Sequence, residues 1–269
     1  MRSAIVLALA AALALGGCAG RTAAPSPDAA PSAPVEEPAA PDETPGGPRP
    51  APGPPPSTAA EVRERGAPQV RLEGVTVHYT DGIGQVSVEG SADGEHWTFT
   101  PATDRPVDAI ALIAAPEGAE FQVLADGSVV VPPVPGVTNG IGVAPLAEGT
   151  YALPAPDLLA LRARAGAPGD PVELSFGLLA VEEATWGQNE GGRSLAVVPT
   201  PWARGAGLAG AELAWWHVEW FAPDEATPGM RDQLVCHAVG APDKASWNLE
   251  PWRPDVGPAL TLLAECNPT

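Results

Sequence analysis

The chain has 269 residues, of which 34 are Pro and 30 are Gly, with 45% hydrophobic residues, 5% aromatic residues and a formal net charge of -19. That hydrophobic fraction is too high for full disorder, and so much Pro argues against one domain packed along the whole length. Neutralising phosphates takes clustered Lys and Arg, so 33 acidic residues against 14 basic ones, with Lys244 the sole lysine, argue against DNA or RNA as a partner.

Residues 1–17 carry one positive charge at Arg2, an apolar run from Ala4 to Leu15 and a small-residue end, the pattern of an export signal. The run is shorter than the roughly 20 apolar residues that a mature membrane-spanning helix needs. Leu15-Gly16-Gly17-Cys18 follows and resembles the lipobox of bacterial lipoproteins. The resemblance implies cleavage before Cys18 and lipidation of that residue, palmitate being a typical acyl chain; an unmodified Cys ending an ordinary signal peptide is the alternative. Several acyl chains on one residue, each burying CH₂ groups at ~0.8 kcal/mol apiece, make a stable anchor. The expected place is the extracytoplasmic face of the cell membrane, with the membrane as the first partner.

Residues 18–60 read as a tether. From Arg21 to Ala60 there are 13 Pro, no aromatic residue and Val35 as the sole sizeable aliphatic. Such a segment cannot bury enough apolar surface to offset its ordering entropy and is expected to be disordered, with extended polyproline character at ~3.1 Å per residue. A proline-rich ligand for another domain is the competing reading.

Over 66–170 the pattern is that of half-buried strands. Val70 and Leu72 share one parity and Val75, Val77 and Tyr79 the other, so a bulge at Gly74 would keep one strand's apolar residues on one face. Val86 and Val88 continue the alternation, Trp97 and Phe99 follow the turn Asp93-Gly94, and Val107 to Ala115 reads as a buried strand. Phe121 and Val123 face Val129 and Val131 across Asp126-Gly127, a hairpin signature. The Pro/Gly-rich stretch from Pro132 to Pro156 speaks against regular structure there. These elements predict a β-rich, antiparallel, sandwich-like unit.

Residues 171–269 predict a second unit, which makes the fold class α+β. Seven of the eight Trp lie beyond residue 185. Val172, Leu174 and Phe176 alternate, and a strand through Ala184 to Trp186 turns at Asn189-Glu190-Gly191-Gly192 into Arg193 to Val198, a hairpin. From Gly207 to Trp220, Ala209, Leu213, Trp216 and Trp220 fall on one helical face. Thr227-Pro228 announces a second helix that runs to about Val239, before Gly240 and Pro242. With Cys18 committed to lipid, Cys236 and Cys266 remain, and outside the cytoplasm such a pair oxidises. Two free reactive thiols are the alternative, without a CxxC pair to support them.

Arg231-Asp232-Gln233-Leu234-Val235-Cys236-His237, Lys244, Trp247-Asn248-Leu249-Glu250-Pro251-Trp252-Arg253-Pro254 and Cys266-Asn267-Pro268 together resemble the Domain of Unknown Function 2599 family of exported Gram-positive bacterial proteins. Trp186, Arg193-Ser194-Leu195, Pro199-Thr200 and Arg204 extend the resemblance to about residues 180–269. It implies a small secreted domain with the Cys236–Cys266 link, and it carries no catalytic assignment.

For chemistry, the best candidates are His237 with Asp232 or Glu250, flanked by Arg231, Arg253 and Lys244. A His beside a carboxylate can act as a general base, and Trp247 and Trp252 offer faces for a sugar or aromatic ligand. Against this, a His beside a half-cystine in a small domain is more often a buried core residue, and Glu250 can simply pair with Arg253 or Lys244. His217-Val218-Glu219 lacks the P-C-x-x-C that a zinc deaminase needs, and four scattered His residues predict no metal site. No cofactor motif occurs. The expectation is a membrane-anchored binding or interaction module for an envelope protein or polysaccharide; the rival is a cell-envelope hydrolase.

Overall fold

The computed structural model describes residues 56–65, 71–72, 75–79, 86–90, 96–101, 109–135, 139–162 and 170–269. The export signal, Cys18, the tether as far as residue 55, Gly74 and the Asp93-Gly94 turn lie outside them.

Helix α1 (Ala59–Arg65) begins where the tether was expected to end. A capping box starts it: the Glu61 carboxylate accepts from the backbone N–H of Ser57 and of Thr58, and the Thr58 hydroxyl accepts from the Glu61 N–H at 3.2 Å. The Glu61 carboxyl is held below its ordinary pKa by those Ser57 hydrogen bonds.

Two antiparallel sheets follow, built from β1 (Arg71–Leu72), β2 (Val75–Tyr79), β3 (Val86–Gly90), β4 (His96–Pro101), β5 (Ala111–Ala114), β6 (Gln122–Val123), β7 (Val129–Val131), β8 (Ile141–Val143), β9 (Thr150–Ala155), β10 (Leu158–Arg162) and β11 (Val172–Gly177). The first sheet runs β1-β2-β5-β10-β9 and the second β3-β4-β11-β8-β7-β6. Phe99, Val129, Ile141, Val143, Leu174 and Phe176 of the second sheet share one core with Ile113, Leu159 and Leu161 of the first. Ala59 and Val62 of α1 cover the other side of the first sheet, against Leu112, Ala114, Leu158 and Ala160. β5 and β10 therefore have both faces covered, which is why they read as unbroken apolar runs.

Some expectations give way. Arg71–Leu72 and Val75–Tyr79 are two paired strands, with Leu72 opposite Val75, in place of one bulged strand. The Pro/Gly-rich stretch contains β8 and all of β9; β8 is buried because it lies between β11 and β7. Val172–Gly177, placed in the second unit by its sequence, pairs with β4 and β8 and so belongs to the β-rich region.

The remaining elements are β12 (Val181–Asn189), β13 (Gly192–Pro199), α2 (Pro201–Gly205), α3 (Gly207–Phe221), α4 (Pro228–Gly240), β14 (Trp247–Leu249) and α5 (Pro258–Leu263). β12 and β13 form the expected hairpin, and its order β12-β13-β14 makes a three-stranded antiparallel sheet. Glu190 at φ 49° and Gly191 at φ 87° supply the two positive angles of a type I′ turn. Thr200 caps α2, accepting from the Ala203 N–H at 3.1 Å, and Thr227 caps α4, accepting from the Met230 N–H at 3.2 Å, each ahead of a Pro at the first helical position. Leu195, Val197, Trp247 and Leu249 of the sheet bury against Leu213 and Val218 of α3 and Met230, Leu234 and Ala238 of α4. Trp202 lies where a Cβ on Gly142 or Gly177 would come within 2.3 Å of its ring, so those two glycines admit the indole.

Candidate functional site

The segment after β14 turns back over the sheet and brings the charged residues of the Trp247–Pro254 motif into the interior. Glu250 is fully buried. One of its carboxylate oxygens accepts from Asn189 Nδ2 at 2.8 Å, and the other accepts from Arg253 Nε. Its backbone is tied to α4, since Gln233 Nε2 donates to the Glu250 carbonyl at 3.1 Å and Gln233 Oε1 accepts from the Glu250 N–H at 2.8 Å. The Arg253 side chain is 1% exposed. It also donates to Glu190 Oε2 at 2.5 Å and to the Pro268 carbonyl at 3.1 Å. Burial by itself would lower the Arg253 pKa, but the hydrogen bonds it donates to Glu250 and Glu190, together with the charges of those carboxylates, outweigh burial and raise it. A single guanidinium thus joins the hairpin turn, the motif segment and the C-terminal tail.

The tail is held from a second side by the Cys236–Cys266 disulfide, with an S–S length of 2.02 Å and a Cα–Cα distance of 5.5 Å. Glu265 and Cys266 adopt positive φ values of 51° and 69°, a conformation that non-glycine residues keep only where their surroundings impose it.

His237 sits beside that disulfide and is 2% exposed. Neither of its ring nitrogens has a hydrogen-bond partner, so it is joined to neither Asp232 nor Glu250. Its pKa is pushed down to about 4, first by burial and then by the charge of Lys244; the nearby Asn248 backbone, which does not reach full hydrogen-bond geometry, and Glu250 pull the other way. The imidazole is therefore neutral at pH 7, with no proton acceptor or donor in contact. Asp232 lies half-buried on α4, its pKa raised by partial burial and by the Asp255 carboxylate.

The expected binding residues occupy different settings. Trp247 is fully buried, whereas Trp252 keeps 46% of its surface exposed while its ring lies against Gly192 and carries the Arg253 guanidinium at 4.6 Å. Arg231 bonds Glu212 at 2.5 Å, and Lys244 is exposed in the loop before β14. Arg204, another residue of the family pattern, donates to the carbonyls of Pro242, Lys244 and Ala245 and so shapes that loop. Among the described residues no three His, Cys, Asp or Glu side chains converge as metal ligands. The sequence places Asn189 and Glu190 in a turn and Gln233 in the family motif, but assigns none of them a role at the site. Glu190-Gly191 is legible as a turn, but nothing local marks Asn189 as a partner of a carboxylate 61 positions away.

Residues 181–269 match the family described as "Protein of unknown function (DUF2599)". Uncharacterized proteins of Mycobacterium bovis and Mycobacterium tuberculosis are each 41% identical over 96 residues, which is 33% of this chain and 65% of the relative. An uncharacterized protein of Mycobacterium leprae is 38% identical over 65 residues, 23% of this chain and 53% of that relative. The chain thus spans somewhat under two thirds of the length of these relatives. No solved structure matches. The buried Glu250–Arg253 clasp, the Gln233 link and the Cys236–Cys266 staple are built from the motif residues themselves, and they lie within residues 181–269, the part of the chain that matches this family of unknown function.

Proposed function

We propose that this protein is a lipid-anchored, extracytoplasmic bacterial lipoprotein whose folded part serves as a binding or interaction module for an envelope protein or polysaccharide. The observation that carries the choice of a module over a hydrolase is the burial of His237, Glu250 and Arg253, with the half-buried Asp232 not in hydrogen-bond contact with His237. Glu250 and Arg253 are consumed by each other and by Asn189 and Glu190, and His237 lies under cover without a carboxylate in contact. A general base must come within hydrogen-bond reach of the proton it removes, and a buried imidazole offers no path to a polymer. The anchor rests on Leu15-Gly16-Gly17-Cys18 and agrees with the oxidised Cys236–Cys266 pair, a state normal outside the cytoplasm.

Two measurements test the two halves. Intact mass of the protein extracted from membranes should show an N-terminal acylated Cys18, and Cys18→Ser should release it from the membrane fraction; an intact Met1 start in the cytosol sinks the anchor. Purified protein should bind a component of the envelope and turn over neither peptidoglycan nor polysaccharide. Turnover that His237→Ala abolishes with the thermal transition retained would establish the hydrolase instead.

A further inference from the structure

Helix α5 (Pro258–Leu263) is turned inside out. Its one polar side chain, Thr261, is buried, while Pro258, Ala259, Leu260, Leu262 and Leu263 are exposed. Leu263 keeps 80% of its surface in water, and Leu260 and Leu262 keep 55% each. A helix on the surface of a globular protein normally does the reverse, with its leucines down and its hydroxyls out. The staple accounts for the reversal. The Cys266 N–H donates to the Thr261 carbonyl at 2.9 Å, and Cys236 Sγ lies 3.9 Å from the same oxygen, so the Thr261 side is pinned inward and the leucines are left outside. The apolar surface continues onto α4, where Leu262 lies beside Gly240, next to the exposed Val239.

Single exposed leucines need no explanation, but several on one short helix mark a contact surface. Its chemistry says which kind. A protein interface takes its affinity from Trp, Tyr and Arg anchors and from a rim of hydrogen bonds. Residues Val256 to Ala264 carry no charge, no aromatic ring and no exposed hydrogen-bonding side chain. They offer aliphatic area alone, which is what the acyl boundary of a bilayer accepts. The chain ahead of Pro56 supplies the proximity. Residues 18–55, extended at ~3.1 Å per residue, reach on the order of 100 Å, so a lipidated Cys18 keeps α5 within range of the leaflet and makes even a weak contact intramolecular.

From this we infer that α5 is a membrane-docking element, its leucines seated in the acyl boundary of the leaflet that holds Cys18. The docking rests on the anchor proposed above. Among the described residues no helix is long and apolar enough to cross a membrane, and α5, at 6 residues, lies on the surface. The exposed Asp255 and Glu265 flank the leucines, so acidic lipid weakens the contact at low salt and screening restores it.

Hydroxyl-radical footprinting of the full-length lipidated protein in phosphatidylcholine vesicles reads this contact residue by residue. The reference is the Cys18→Ser protein without vesicles, and the exposed Leu153 and Leu179 are internal controls of the same chemistry. Oxidation of Leu260, Leu262 and Leu263 should drop severalfold on vesicles while that of Leu153 and Leu179 holds. Leu260→Ser combined with Leu263→Ser should restore the oxidation of Leu262, with Cys18 still acylated and the thermal transition retained. Anionic vesicles should protect α5 less at low salt and more as salt rises. Intact mass separates this inference from the anchor: an unacylated Cys18 removes both, whereas an acylated Cys18 with α5 equally reactive on and off vesicles overturns the docking alone. Protection that falls with rising salt overturns it as well, as does protection that appears without vesicles as protein concentration rises, which assigns the leucines to a second copy.

Discussion

The β-rich region and the region from Val181 onward solve one packing problem with different chemistry. The two sheets bury apolar residues from both sides, and among the described residues their one buried polar side chain, Ser128, is satisfied by Asp126 and the Ala209 N–H. The C-terminal region buries Ser194, Thr200, Gln233, His237, Glu250, Arg253 and Thr261. All the buried side-chain polar atoms without a partner, on Ser194, Trp202, His217, His237 and Trp247, lie there as well, among the described residues. A two-sheet core defines itself through area. The C-terminal region has an apolar cluster of its own, to which a polar clasp and a staple are added, so it holds buried charged groups whose loss leaves a partner uncompensated.

The sharpest way to break that contrast is to remove one half of the clasp. Glu250→Ala leaves Arg253 buried with Glu190 as its remaining carboxylate, and the expected loss is ~3–5 kcal/mol in denaturant unfolding. Replacing both partners together, Glu250→Leu with Arg253→Met, should cost much less, because no uncompensated charge stays behind. Arg193→Ala removes an ion pair to Glu225 that is part-exposed on both sides and a guanidinium stacked 3.9 Å from the Trp186 ring centre, and together these should cost ~1–2 kcal/mol. If Glu250→Ala falls with Arg193→Ala, the clasp is ornamental and the region is held by its apolar contacts after all.

The same contrast explains what could be read in advance. Alternation and turn residues are local, and they place the β6–β7 hairpin at Asp126-Gly127, the β12–β13 hairpin at Glu190-Gly191 and the α4 start at Thr227-Pro228. The α1 start was equally legible in the capping pattern from Thr58 to Glu61, though Pro-rich composition around it pointed elsewhere. Strand order is not local. Nothing within Val172–Gly177 says that it sits between β4 and β8, and nothing around Glu250 says that Asn189 approaches it. The family pattern named the residues of the clasp without their roles, since a carboxylate that pairs inside a fold and one that acts on a substrate are written alike in sequence.

A smaller effect separates the regions by pH. The unfolded His237 titrates near ~6.5 and the folded one at about 4, so between these values the unfolded chain binds more protons. Its contribution is fully present above the unfolded pKa, declines as pH falls through the window, and stops declining below the folded pKa. His217, also lowered by burial, acts with the same sign. Denaturation midpoints taken from pH 7.5 to 4 should therefore drop less for His237→Leu than for the wild type. Hydrogen exchange should locate the early opening in α4 and β14, with the two sheets protected. A parallel pH response in both proteins would mean that His237 finds a partner when charged.

The smallest expected effect probes the seam. Helix α3 has no capping side chain of its own at Ala206. Its first turn is capped from the β-rich region: the Leu208 N–H donates to Asp126 Oδ2 at 2.7 Å and the Ala209 N–H to Ser128 Oγ at 3.0 Å, with Ser128 Oγ in turn donating to Asp126 Oδ1 at 2.6 Å. Asp126 also sets a negative charge at the positive end of the helix. Asp126→Ala should cost ~1 kcal/mol, and Asp126→Asn less, because the amide oxygen still accepts. The informative readout is where protection is lost. If the amides of Leu208 and Ala209 open while the 124–128 hairpin stays closed, the hairpin stabilises the helix and the β-rich region supports the family region. If the hairpin alone loosens, the dependence runs the other way, and the C-terminal region stands on its clasp and its disulfide.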